Sequence, residues 1–246
     1  MSLMYEELDF RPTPIGDLML RRRRLIQLGG IDIYEVKLGD YFLMSSLFHE
    51  AEVALAQLGL AGLDRTGSNK KDIDVVVGGL GLGYTAARVL EDEQVKRLLV
   101  VEYLEGVIEW HETGLVPLGK GLTDDPRCRF VNADFFAMSR DVTKSFDPET
   151  PDKKHDAILL DIDHTPTNVL TQTNTRFYTQ EGLAELAQHL KPGGVFGLWA
   201  DGFPQDSFTD LLGSVFESAQ GHTIEFDNPL TGSSSEGAVY IARMGP

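Results

Sequence analysis

The stretch that most constrains the fold runs from Asp72 to Leu90 and reads DIDVVVGGLGLGYTAARVL. The three consecutive valines at 75–77 are typical of a strand that is buried on both faces, as strands of parallel sheets are. The glycine-rich segment from Gly78 to Gly83 follows at once, and small apolar residues after it indicate the start of a helix. Glycines at such a turn let a ligand approach the backbone and the free N–H groups of the helix start. The stretch therefore predicts the nucleotide-binding corner of an α/β sheet.

The chain after Leu90 alternates between strand and helix patterns. Apolar helix stripes separate the predicted strands, except that the last two strands are joined by a loop without a helix. The pattern predicts an α/β fold with a Rossmann-like, doubly wound, mostly parallel sheet of seven strands and an antiparallel pair at one edge. The seven predicted strands lie at 75–77, 95–101, 127–132, 156–160, 195–200, 223–226 and 238–242.

The first 60 residues have a different pattern. Residues 12–44 show partial alternation of apolar and polar residues, punctuated by glycines as in β-hairpins. A helix is expected from Ser45 or Ser46 to about Leu60, and the residues that follow, 61–71, read as a polar connector. We therefore expect a small N-terminal β appendage and helix at 1–60 and a Rossmann-like domain at 61–246.

The charge of the chain argues against a nucleic-acid partner. The formal net charge is −16, and such a field repels nucleic acid and favours cationic small ligands. Arg21–Arg24 forms the one basic run, and we interpret it as part of a strand with nearby acidic counter-charges rather than as a nucleic-acid patch.

Several classes of site and location are also disfavoured. A single cysteine and six scattered histidines without an i, i+4 pair predict no metal site. No apolar run approaches the length of a membrane span, and no secretory signal pattern is present, so we expect a cytoplasmic protein that does not bind membranes.

Acidic residues end the strands that follow the glycine segment. In an open α/β sheet, ligands bind beyond the carboxyl ends of the strands, where Glu102, Asp134 and Asp161 are expected. Glu102 suits two ribose hydroxyls, although an acid at a helix start has the same local pattern. Asp134 suits the amino group of an adenine, with Phe135 or Phe136 beside the ring, and it equally suits the N-cap of a short helix.

Four segments, in this order and spacing, resemble class I S-adenosylmethionine-dependent methyltransferases and most of all their spermidine synthase-like branch. The segments are VVVGGLGLGYTA, LLVVEYLEGVI, VNADFF and HDAILLDIDHTP. The dinucleotide spacing G-x-G-x-x-G fits the glycine segment poorly, so an NAD dehydrogenase is a remote alternative.

The resemblance implies roles for individual residues. Gly79, Gly81 and Gly83 would lie against the methionine part of S-adenosylmethionine or its decarboxylated form. Glu102 would hold the ribose, and Asp134 and Phe135 would contact the adenine. Asp161 matches the first aspartate of the family motif D-S-x-D-P, which orients the acceptor amine and takes its proton. The loop from Ile162 to Tyr178 would cover the site, and the N-terminal strands would form a homodimer. The residues given roles here are Gly79, Gly81, Gly83, Glu102, Asp134, Phe135 and Asp161.

The sequence departs from the family pattern at two anionic positions. Gly81 stands where the family has the aspartate of G-G-G-D-G-G, and the second aspartate of D-S-x-D-P falls on His164, with Asp163 adjacent. A dicationic polyamine needs carboxylates at both ends of its channel, because burying an unpaired ammonium is costly.

These departures set the order of the functional hypotheses. We favour a transferase that moves methyl to an amine-bearing small molecule, with Asp161, Asp163 and His164 as candidate catalytic residues. A true spermidine synthase, in which other acids such as Glu50 or Glu52 replace the missing anions, is the alternative. A non-catalytic nucleotide-binding scaffold is the third hypothesis.

Overall fold

The N-terminal segment forms an antiparallel sheet of its own. The computed structural model describes residues 4–64 and 72–246. The order of this sheet is β1-β2-β3-β4, and its strands are β1 (Tyr5–Thr13), β2 (Gly16–Leu25), β3 (Ile31–Leu38) and β4 (Tyr41–Ser45). The four arginines of β2 pair with acids on the two neighbouring strands, for example Arg21 and Arg23 with Glu35. The predicted local counter-charge is therefore confirmed.

The rest of the described chain alternates between helices and strands. Its elements are α1 (Glu50–Ala61), β5 (Ile73–Gly78), α2 (Tyr84–Leu90), β6 (Val95–Glu102), α3 (Glu105–Glu112), α4 (Gly119–Thr123), β7 (Cys128–Asn132), α5 (Phe135–Arg140), β8 (His155–Leu160), α6 (Gln180–Ala187), β9 (Leu190–Asp201), α7 (Asp206–Gly213), β10 (Ser218–Asn228) and β11 (Ser233–Arg243). The predicted connector at 61–71 lies mostly outside the described residues. Among the described residues, no helix is long and apolar enough to cross a membrane.

Seven of these strands form one sheet in the order β10-β11-β9-β8-β5-β6-β7. Strands β9, β8, β5, β6 and β7 run parallel, and β11 is antiparallel to both β9 and β10. The predicted mostly parallel sheet with an antiparallel edge pair is confirmed. The chain leaves β5 toward β6 and later returns to β8 on its other side, so the order reverses beside β5. The crevice at such a switch point is where open α/β sheets bind ligands.

The centre of the sheet is buried on both faces, as the apolar runs predict. Val75, Val76 and Val77 of β5 are at most 1% exposed, and helices cover each side. One face carries an aromatic cluster that includes Phe135, Phe146 and Phe177. Helix α1 packs on the opposite face against α2 and β9. The helix that the sequence grouped with the appendage thus packs on the large sheet, and the domain division itself stays a prediction.

Several boundaries differ from the sequence prediction because pairing overrides local propensity. The sequence predicted the fifth strand of the large sheet over 195–200, but this strand already starts at Leu190, which pairs with His155 of β8. The last two strands were predicted to be short. They form a hairpin of eleven residues each, in continuous register from Ser218–Arg243 to Asn228–Ser233. The short helix α4 was not predicted.

Candidate active site

A cavity of about 220 Å³ lies at the carboxyl ends of the central strands. The glycine segment and the ends of β6 and β8 form one part of its wall. Apolar side chains of the N-terminal sheet, such as Leu38 and Met44, form another part. The cavity therefore lies between the two sheets, at the switch point where the acids were expected.

Close backbone approach explains two of the glycines. Gly79 has φ +94°, and a Cβ there would lie 2.1 Å from the backbone oxygen of Asp161. Gly81 has φ +49°, and a Cβ there would lie 2.5 Å from Sδ of Met44. The same sulfur accepts a hydrogen bond from the N–H of Leu82 at 3.2 Å. Gly83 is the N-cap of α2. A side chain is thus disfavoured at Gly79 and at Gly81, and the segment borders the cavity at both positions.

Two carboxylates lie on the side of the cavity formed by β6 and β7, which we call the β6–β7 side. Glu102 is 8% exposed and accepts hydrogen bonds from the N–H groups of Leu80 at 2.9 Å and Leu104 at 2.8 Å. Burial raises the pKa of its carboxyl, and these backbone hydrogen bonds oppose the rise. The carboxylate connects the glycine segment to the start of α3 and also faces the cavity. A role at the helix start and a role in binding a ribose are therefore compatible.

Asp134 also lines the cavity, and it caps α5. Its Oδ1 accepts hydrogen bonds from the N–H groups of Phe136 at 2.8 Å and Ala137 at 3.1 Å. The N-cap interpretation is therefore confirmed, whereas the adenine contact stays a prediction. Phe135 borders the cavity but is 2% exposed and packs into the aromatic cluster behind Gly78.

Asp161 lies on the opposite part of the wall, the β8–β9 side. Its Oδ2 accepts a hydrogen bond at 2.9 Å from Oγ1 of Thr85 in the first turn of α2. Burial raises the pKa of this carboxyl, and the nearby charge of Asp201 raises it further. Asp161 is thus a half-buried acid that faces the cavity and holds protons more tightly than an ordinary aspartate.

Asp163 has a different environment, although only one residue separates it from Asp161. It is 1% exposed and does not line the cavity. Its carboxylate accepts hydrogen bonds from the N–H of Leu170 at 2.6 Å, from Nδ2 of Asn174 at 3.0 Å and from the hydroxyl of Tyr178 at 2.9 Å. These contacts hold the loop 162–178 in place. The geometry gives Asp163 a positioning role for that loop.

His164 lines the cavity near its mouth. Its Nδ1 lies 3.2 Å from Oδ2 of Asp201, and this contact raises the pKa of the imidazole. The N–H of Asp201 also donates to the backbone oxygen of His164 at 2.7 Å. The ring centroid of Tyr41, from the N-terminal sheet, is 6.1 Å from that of His164. His164 therefore joins the loop, the end of β9 and the small sheet.

From sequence, Glu52 was named only with Glu50, as an acid that could replace the missing anions of a spermidine synthase. It lies in the first turn of α1, is 7% exposed and lines the cavity beside Asp161. The sequence signal was weak, because Glu50 and Glu52 are equivalent as acids at a helix start. Only Glu52 borders the cavity.

Among the described residues, no group of three or more His, Cys, Asp or Glu side chains comes together in a way that could hold a metal ion. No Lys or Arg is among the described residues that line the cavity. The wall carries four carboxyl groups and one histidine, at Glu52, Glu102, Asp134, Asp161 and His164. This wall favours a cationic ligand.

Comparison with known proteins identifies the class. The family model for the Spermine/spermidine synthase domain matches residues 51–204, which is more than half of the chain and runs from α1 beyond the end of β9. The chain belongs to this family, and the prediction of a transferase of the spermidine synthase-like branch is confirmed at the level of the family. No curated protein matches the sequence significantly.

Solved structures show the same fold. A spermidine synthase in complex with the transition-state analogue AdoDATO has a TM-score of 0.72 and 18% identity, over 97% of this chain and 74% of its own. The spermidine synthase from Thermotoga maritima has a TM-score of 0.70 and 18% identity, over 97% and 72%. Human methyltransferase-like protein 13 in complex with SAH has a TM-score of 0.58 and 20% identity, over 80% and 83%.

Proposed function

We propose that this protein transfers an alkyl group, namely methyl, from an S-adenosyl sulfonium donor to an amine-bearing small molecule. The observation that carries the proposal is the single cavity that has Glu102 and Asp134 on one side and Asp161 on the other. Donor-binding and acceptor-binding acids would then face each other across the reacting atoms. Positioning of two reactants is the main contribution that such a site makes to the rate.

The cavity fits an adenosyl sulfonium donor. The glycine segment offers backbone without side chains at Gly79 and Gly81, and the acidic wall suits a positive charge. Glu102 and Asp134 would hold the nucleoside, since each carboxylate can accept further hydrogen bonds from hydroxyl or amino groups. When bound, the donor supplies an electrophilic carbon attached to its sulfonium sulfur.

Asp161 would orient the acceptor and take its proton. Thr85 holds one carboxylate oxygen, which leaves the other available to the acceptor nitrogen. A general base works best when its pKa lies near the working pH, and burial raises the pKa of Asp161 toward that range. His164 and its partner Asp201 lie at the mouth, where they would exclude water and attract a cation.

The environment of Gly81 supports methyl as the transferred group. The aminopropyl donor ends in an ammonium alone, whereas the methionine part of S-adenosylmethionine ends in an ammonium and a carboxylate. A carboxylate in the glycine segment would therefore favour the aminopropyl donor and repel S-adenosylmethionine. At Gly81 the neighbouring group is the thioether of Met44 instead, which also occupies the N–H of Leu82. The glycine segment therefore offers no anion for that ammonium.

Aminopropyl transfer, as in a spermidine synthase, is the second candidate. The cavity contains the buried carboxyl of Glu52, which is not part of the family motifs and could replace one of the missing anions. The two reactions leave different nucleosides. The purified protein would be incubated with S-adenosylmethionine or its decarboxylated form and a panel of amines that includes putrescine. Formation of S-adenosylhomocysteine from the first donor supports methyl transfer. Formation of methylthioadenosine from the second donor with putrescine would overturn it.

A scaffold that binds nucleoside without catalysis remains the third possibility. Binding of S-adenosylhomocysteine with no transfer to any amine would favour it. Transfer of an alkyl group by the unmodified protein that is lost in the Asp161→Asn variant would exclude the scaffold hypothesis.

We also propose that two copies pair through the N-terminal sheet. Large apolar side chains are exposed on this sheet, including those of Tyr5, Phe10 and Ile31. Burying such side chains between two copies is favourable. Light scattering of the eluting protein should give twice the mass of the chain, and a monomer mass would contradict this.

A further inference from the structure

Glu52 is a buried carboxyl that accepts a hydrogen bond from its own backbone N–H and from no other described residue. Its helix neighbours Ala51, Ala54 and Leu55 are buried and apolar, as expected for the face of α1 that packs on the sheet. A buried carboxyl with so few partners is costly, so its retention on the cavity wall needs a reason.

Thr85 links the backbone of Glu52 to the candidate catalytic residue Asp161. Thr85 donates to Asp161 at 2.9 Å, and the same hydroxyl oxygen lies 3.4 Å from the backbone oxygen of Glu52. The start of α1, the start of α2 and the end of β8 therefore meet at one point of the cavity. The carboxyls of Glu52 and Asp161 both face the cavity there, and the hydroxyl of Thr85 donates a hydrogen bond only to Asp161.

Among residues 4–64 and 72–246, the charged groups that act on Glu52 are acids. The titratable groups that interact with Glu52 lie on its own helix, at the ends of β8 and β9 and on α2, and they are Glu50, Asp161, Asp201 and Tyr84. Burial, and next the nearby Asp161, raises the pKa of Glu52. Without a ligand, the two acids therefore retain a proton near neutral pH.

A primary ammonium fits this arrangement better than a neutral group does. It carries one positive charge and three N–H donors, which can satisfy two carboxylates at once. A hydroxyl has one donor and no charge, so it would leave one acid unpaired. The aromatic side chains of Tyr84 and Trp199 also line the cavity and suit the alkyl part of an amine.

We propose that Glu52 determines acceptor specificity by binding the ammonium group of a cationic amine beside Asp161. This assignment rests on the proposed function for the identity of the site, and it adds the residue that selects the acceptor. Binding of the ammonium displaces the proton held by the two acids, which passes to the solvent. Each binding event therefore exchanges one proton for one cation at this point of the cavity.

Calorimetric titration of the whole protein with n-butylamine, putrescine and n-butanol tests the assignment. We expect both amines to bind and n-butanol not to bind. Glu52→Gln should weaken amine binding by about tenfold or more, because a desolvated ion pair loses one partner. Glu105→Gln is the control, since Glu105 is an exposed glutamate in the first turn of another helix, α3, and does not line the cavity. It should change amine affinity less than about twofold.

A second readout separates charge recognition from simple packing. Titration in two buffers of different ionisation enthalpy measures the protons released on binding. The unmodified protein should release protons near neutral pH, and Glu52→Gln should release fewer. If Glu52→Gln does not fold, Glu52→Met provides the same comparison with an apolar side chain of similar volume.

S-adenosylhomocysteine binding distinguishes failure of this assignment from failure of the proposed function. If the nucleoside binds and the amines bind Glu52→Gln as tightly as the unmodified protein, the assignment is wrong and the proposed donor site stands. Equal binding of n-butanol, or no amine binding at all, would also overturn the assignment. If the amines bind in a Glu52-dependent way but the nucleoside does not bind, the assignment stands and the proposed function fails.

Discussion

The β6–β7 side and the β8–β9 side of the cavity hold their carboxylates in opposite ways. Glu102 and Asp134 each accept two hydrogen bonds from backbone N–H groups, so the local backbone orients them. On the other side, Asp161 accepts one side-chain hydrogen bond from Thr85, and Glu52 accepts none from another residue in the described ranges. The first pair is rigid and ready for a neutral nucleoside. The second pair is suited to a ligand that brings its own positive charge and protons.

The largest effect that tests this contrast is expected for Asp161→Asn. Loss of the general base should lower the transfer rate about 10²- to 10⁴-fold. Stability should change little, because the amide oxygen can still accept the hydrogen bond from Thr85. Single-turnover kinetics with the active donor would measure the loss. Asp210→Asn, at an exposed position of α7, is the control. A rate within tenfold of the unmodified protein would remove Asp161 from the mechanism.

Asp163→Ala tests whether the neighbouring aspartate is structural. The change leaves buried donors of Leu170, Asn174 and Tyr178 without their acceptor. The free energy of unfolding should fall by about 2–4 kcal/mol. Chemical denaturation would measure this loss, and limited proteolysis should cleave the loop 162–178 faster than in the unmodified protein. Unchanged stability together with lost transfer would instead return Asp163 to the catalytic candidates.

Glu102→Gln tests the β6–β7 side. The amide nitrogen cannot accept a hydrogen bond, so either Leu80 or Leu104 loses its partner and the glycine segment loosens. We expect S-adenosylhomocysteine to bind about tenfold more weakly, which corresponds to about 1.4 kcal/mol at 25 °C. Calorimetry would measure the affinity. Glu105→Gln, exposed in the first turn of α3, should bind like the unmodified protein. Equal losses in both variants would contradict a specific role for Glu102.

The smallest expected effect is a gain of stability in Glu52→Gln. Burial raises the pKa of Glu52 in the folded protein, so the folded state binds more protons than the unfolded state above the ordinary glutamate pKa. The stability of the unmodified protein therefore falls as pH rises through the raised pKa. The variant lacks this loss and should be about 1 kcal/mol more stable at pH 8, with little difference at pH 5. Denaturation at both pH values would measure it. A variant less stable at pH 8 would show that Glu52 has a partner in the free protein.

Local patterns predicted much of the architecture. The valine run of β5 and the glycines after it specify a buried strand and a tight turn, because both depend on residues adjacent in the chain. The N-cap role of Asp134 was also one of the two interpretations of the local sequence. It was predictable because its carboxylate accepts hydrogen bonds from residues only two and three positions later in the chain. The start of β9 at Leu190 was missed, because its pairing with His155 is a long-range contact.

For the acids of the β8–β9 side, the sequence does not predict which carboxyl faces the cavity. Asp161 and Asp163 are chemically identical and two positions apart, so local sequence cannot separate a carboxylate that faces the cavity from one that holds a loop. The separation arises because the loop 162–178 folds back and places Leu170, Asn174 and Tyr178 around Asp163. Glu50 and Glu52 are separated in the same way by the packing of α1 on the large sheet.

The succession of strands and helices along the chain, the glycine turn and the acids at the strand ends follow from the sequence, because hydrophobic period and turn chemistry act over a few residues. Tertiary structure alone decided which carboxyls face the cavity, which are satisfied by the protein and which stay open to a ligand. Those properties depend on burial and on donors brought from distant segments, and one example is the hydroxyl of Thr85, 76 positions before Asp161 in the chain.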